Sequence, residues 1–202
     1  MIWAVRQLCA PLRYLRIEQG SGLFRSKLSY DLVLPALLAA SSTAVTYRLG
    51  AQLGLFATAG LIPGIIDLLN LMIAFFIAAL AAVATFDKPS LDEAMKGEPA
   101  ILKLRSARGG TRLHPLTNRQ FICYLFGYLS FASIILIAAL YIARQIGPSL
   151  IGAYPLLPWA KLTIKLLGTF LLFMVLWQIF VTTLLGIYFL CDRLQFIEDD
   201  DV

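Results

Sequence analysis

Four stretches of this chain are largely apolar, and most of the charged residues lie outside them. They run over about Leu28–Tyr47, Ile65–Phe86, about Gln120–Ala143 and about Leu162–Leu190. Each holds about 20 residues or more, enough for a helix to cross a hydrocarbon core of about 30 Å. The pattern predicts an all-α, polytopic protein with four transmembrane helices. The second stretch, IIDLLNLMIAFFIAALAAVATF, is the most sharply patterned. Ala74, Ala78 and Ala82 recur every fourth residue, and Asp67 and Asn70 fall on the same helical side. A stripe that is polar, then small, predicts a helix that others approach closely, within the chain or between copies.

The connecting segments divide the chain further. Residues 1–27 form a basic N-terminal interfacial segment. Residues 28–86 hold the first helix pair, with an outer re-entrant or interfacial connection over 48–64. A charged cytoplasmic loop spans 87–117, a second helix pair 118–191, and an acidic cytoplasmic tail 192–202. In the first segment Ile2, Val5, Leu8, Leu12 and Leu15 share a helical face opposite Arg6, Arg13 and Arg16. That suits a headgroup-level helix divided at Pro11, with a frayed basic tail as the alternative.

Asp31 and Pro35 make the start of the first span irregular, and Pro63 suits the first turn of the second. Thr117–Gln120 reads as a capping box flanked by Leu116 and Phe121 as a hydrophobic staple. Tyr124 and Tyr128 suit an aromatic belt, and the prolines at 148, 155 and 158 are expected to stop the third helix. Gln178, Thr182 and Gly186 align at four-residue spacing as a packing seam in the last span.

Composition sharpens this picture. At 59% hydrophobic and 14% charged, the chain is too apolar for an ordinary soluble domain. Its 17 Lys and Arg residues are uneven: 13 of them fall in the N-terminal segment, the 87–119 region and Arg193. The positive-inside rule makes that side cytoplasmic, giving a multi-pass protein of the bacterial inner membrane with both termini inside. Cys9, Cys123 and Cys191 lack metal spacing and read as reduced, disulfide-free thiols.

Reaction chemistry is not visible. The chain has no Gly-rich phosphate loop, no metal cluster, and no membrane-embedded base for Ser130, since the only histidine, His114, lies in the loop. Asp31 and Asp67 lie near opposite ends of their spans, where a proton-coupled transporter would place a carboxylate at mid-depth. A non-enzyme without cofactor or metal is expected.

Lys103, Arg105, Arg108 and Arg112 in the loop, with Glu198, Asp199, Asp200 and Asp201 in the tail, form the expected docking surface. It would take lipid headgroups or a cytoplasmic effector protein, repeated around the axis of a homo-oligomer, a tetramer among the options. Direct nucleic-acid binding is not expected. The alternatives are a pore lined by Ser42, Thr46, Asn70 and Gln178, and a small-solute transporter.

Phe75–Phe86 and Tyr124–Ser133, together with four spans and both ends inside, resemble the membrane component (KwaA) of the two-gene Kiwa antiphage system. The resemblance implies a membrane sensor of phage infection that assembles with a cytoplasmic DNA-binding partner, KwaB. That partner would act on phage DNA replication and late transcription. The resemblance transfers no functional residue.

Overall fold

The computed structural model describes residues 7–18, 29–49, 60–86, 89–92, 100–105, 111–153 and 158–193. Its long helices are α1 (Leu34–Leu49), α2 (Leu61–Thr85), α3 (Asn118–Ala153) and α4 (Pro158–Tyr188). A π-helical turn, Ser29–Val33, leads into α1, and another, Phe189–Arg193, follows α4. Four helical segments are long and apolar enough to cross a membrane: Ser29–Leu49, Leu61–Thr85, Asn118–Ile146 and Trp159–Cys191. The all-α, four-span expectation therefore stands.

The helix ends follow local chemistry. Pro63 sits in the first turn of α2, where a missing N–H breaks no intrahelical bond. Pro35 follows the π-helical turn within the continuous segment Ser29–Leu49 and can donate no backbone bond to that turn. At the start of α3 the Gln120 amide N–H donates to Thr117 Oγ1 at 3.3 Å, and the Thr117 N–H donates to Gln120 Oε1 at 3.4 Å. This is the expected reciprocal capping box, with Leu116 and Phe121 both buried beside it. The far end departs from expectation, because the backbone of α3 continues through Pro148 to Ala153. A helix interrupted near its aqueous end loses one backbone bond, and water can take the freed carbonyl. Most of the connection expected to be re-entrant, 50–59, lies outside the described residues; Leu61–Gly64 belong to α2.

The packed pairs are not the expected first and second helix pairs: α2 lies against α3, α1 against α4, and α3 meets α4 to join the pairs. Phe76 of α2 and Phe126 of α3 are buried, with ring centroids 6.1 Å apart. Between α4 and α3 the contact depends on Gly186, where an added Cβ would come within 2.8 Å of Leu125 Cδ2. Between α1 and α4 the Trp177 indole N–H donates to Ser42 Oγ at 2.9 Å.

A small cap covers the end of the bundle at which α3 begins. It comprises a 3-10 helix (Ala10–Arg16), strands β1 (Ile17–Glu18), β2 (Ile101–Arg105) and β3 (Thr111–Pro115), and a single helical turn (Pro89–Asp92). The strands form an antiparallel sheet in the order β1-β2-β3, with Ile17 opposite Leu102 and Leu102 opposite His114. Tyr14, Ile17, Leu91, Ala100, Leu102 and Leu116 are buried within it. The segment expected to be a charged connector therefore contains a hairpin, to which the N-terminal segment adds a third strand. In the N-terminal segment Leu8 and Leu15 are exposed and Leu12 is half-buried, while Tyr14 and Ile17 carry the burial within the protein. Tyr128 is no lipid-facing belt residue, since it is buried with its ring stacked 5.0 Å from that of Tyr14.

Candidate functional site

Two surfaces concentrate polar chemistry on an otherwise apolar molecule. The first is the capped end, built around Arg119 in the first turn of α3. Its Nε donates to Asp92 Oδ1 at 2.9 Å and its Nη2 to Asp92 Oδ2 at 3.1 Å, a bidentate ion pair. The same guanidinium donates to the carbonyls of Val83 at 3.1 Å and Phe86 at 2.9 Å, at the end of α2. A cation there meets the negative end of the α2 dipole, and the Asp92 carboxylate lies by the positive end of α3. One side chain thus closes the α2–α3 corner and fastens the cap to both helices.

Beside this clasp a cleft of about 590 Å³ opens between the 3-10 helix, the hairpin and the first turns of α3. Arg13 and His114 stand on its walls with Leu102 and Leu116, while Gln120, Cys123, Tyr124 and Gly127 follow one another down α3. Arg13 and His114 are exposed. Behind the cleft, burial above all, and then the nearby Asp31 carboxylate, hold the Tyr14 phenol well above its ordinary pKa. The cap therefore rests on a neutral phenol stacked on α3.

The second surface is the outward side of α2. Ile62, Ile65, Ile66, Leu69, Phe76 and Val83 are buried, whereas Asp67, Asn70, Ala74 and Ala78 are exposed. At about 100° per residue these two sets lie on opposite sides of the helix. Ala82 is half-buried. The stripe expected to grip other helices is thus not what packs α2 within the chain. The large side chains do that, because they interdigitate with the aromatic face of α3.

The remaining candidates divide. On α4, Thr182 and Gly186 are buried and Gln178 half-buried, so this seam lies in the bundle. Ser42 accepts the Trp177 bond, and buried Thr46 donates to the Ser42 carbonyl at 2.8 Å. Within one copy these hydroxyls serve helix packing, and Asn70 faces away on α2, so the proposed pore residues do not converge on a channel. The backbones of Lys103 and Arg105 belong to β2 and that of Arg112 to β3. Arg108 and the tail residues Glu198, Asp199, Asp200 and Asp201 lie outside the described residues.

Sequence reasoning counted Arg119 among the basic residues of the 87–119 region and within the capping-box stretch, and missed its clasp. The available signal was its position: a cation in the first turn of a helix sits at the unfavourable dipole end unless something else holds it. Compared with known protein families, with curated proteins and with solved structures, the chain has no match.

Proposed function

We propose that the protein is a non-catalytic scaffold of the bacterial inner membrane, with its cap and both termini in the cytoplasm. Copies associate through the outward side of α2, and the capped end recruits a cytoplasmic effector. One observation carries this reading: Asp67, Asn70, Ala74 and Ala78 face outward from the protein's own bundle. A carboxamide exposed to hydrocarbon lacks partners, and small residues invite close helix approach, so a second copy is the surface that suits both. The N-terminal segment, the hairpin and the end of α4 share one end of the bundle, joined by the β1–β2 pairing and by Phe189 packing 4.9 Å from Phe121. With 13 of the 17 Lys and Arg residues counted on that side, the positive-inside rule favours the cytoplasm.

Oligomerisation would repeat the basic residues Lys103, Arg105, Arg108 and Arg112 around one axis, a multivalent dock for an acidic protein surface. On the Kiwa resemblance, the complex would be a sensor of phage infection, with a KwaB-like effector supplying the DNA binding.

Changing the four basic residues to Glu tests recruitment. Co-purification with the product of an adjacent gene is expected to be lost, while membrane insertion and bundle stability persist. Full-strength binding by the reversed protein would exclude the hairpin as the dock.

A further inference from the structure

We propose that the cleft beside the Arg119 clasp binds one anionic phospholipid, its phosphate at Arg13, His114 and Gln120 and an acyl chain along Cys123, Tyr124 and Gly127. The inference does not depend on the scaffold reading. The cleft begins in the cap and follows α3 into the bundle. From Gln120 to Gly127 the helix descends about 10 Å, so the polar rim lies at headgroup level while the deeper wall faces hydrocarbon. That gradient matches a lipid molecule and not a free anion.

Charge separates Arg13 from Arg119. Arg119 is neutralised by Asp92 and by two carbonyls. Arg13 is exposed and has no ion-pair partner among the described residues. The Arg13 guanidinium, the imidazole N–H of His114 and the Gln120 amide can all donate to phosphate oxygens. At the deep end, a Cβ added at Gly127 would meet nothing within 4 Å. The wall there is open space bordered by a thiol and an aromatic ring, which suits a methylene chain.

The test uses the full chain, delipidated in mild detergent, with dioleoyl phosphatidylglycerol or dioleoyl phosphatidylcholine added and bound lipid counted by native mass spectrometry. The protein is expected to retain one phosphatidylglycerol in preference to phosphatidylcholine. Arg13→Ala should weaken retention by about fivefold, the value of one basic residue near an anionic headgroup. Gly127→Phe, whose Cβ enters open space at this wall, should abolish retention.

Arg16→Glu, an exposed neighbour outside the cleft lining, should leave retention unchanged. Thermal unfolding of each variant should match the wild type. Equal weakening by Arg16→Glu would reduce the effect to diffuse charge attraction and overturn the site. Lipid retention by Gly127→Phe, or displacement of the lipid by inorganic phosphate, would also overturn it.

Discussion

Single side chains determine how the cap is attached, and Tyr14 shows how. Its ring stacks on Tyr128 and lies 6.3 Å from Phe121, so the N-terminal segment is held to α3 by aromatic contact. Its phenol is raised above the ordinary value, first by burial and then by Asp31. The folded protein therefore keeps this proton at a pH where the unfolded chain, titrating near 10, has lost it. Stability from the neutral phenol is complete below about pH 10 and falls as the pH rises further. Thermal unfolding of the wild type relative to Tyr14→Phe, compared at about pH 8 and about pH 11, should shift against the wild type at the higher pH. An unchanged difference would contradict the assignment. The sequence hid this residue because its spacing singled out Leu8, Leu12 and Leu15, whereas burial in a 3-10 helix with three residues per turn follows another register.

Among the elements, α3 is the mast of the molecule: α2, α4, the 3-10 helix and the Pro89–Asp92 turn all pack against it. Its start was legible, because capping boxes are local and depend on side chains three residues apart. Its central position was not, because helix pairing depends on contacts distant in sequence and not on hydropathy. The hairpin was half legible. Ile101–Arg105 alternates Leu with Lys or Arg from Leu102 onward, a strand pattern, but the density of charge suggested a loop.

Arg119 sets the α2–α3 corner, and its replacement by Ala should cost about 1–3 kcal/mol through lost charge-assisted hydrogen bonds. Asp92 is 63% exposed, so Asp92→Asn should cost less, below about 1 kcal/mol. Arg119→Lys should recover little, since an ammonium cannot reproduce the fork that reaches Asp92, Val83 and Phe86 together. Reversible unfolding in mixed micelles measures all of these; equal losses for Arg119→Ala and Asp92→Asn would show that the helix-end carbonyls contribute nothing.

For the whole molecule, hydropathy was sufficient to identify four spans, since lipid requires each crossing segment to satisfy its own backbone. It could not show which side of α2 faces inward. Both sides could pack, and the bulky side won because Phe75, Phe76 and Phe126 fill the space between α2 and α3. That outcome leaves the small, polar side outward, and in the proposed scaffold, association of copies through it is the step on which recruitment at the capped end rests.

Cysteine cross-linking in native membranes measures this most directly. With Cys9, Cys123 and Cys191 replaced, Ala78→Cys is expected to give a covalent dimer on mild oxidation. Leu184→Cys, 66% exposed on α4, is expected to remain monomeric. A monomeric Ala78→Cys, or equal dimer from both positions, would contradict association through α2.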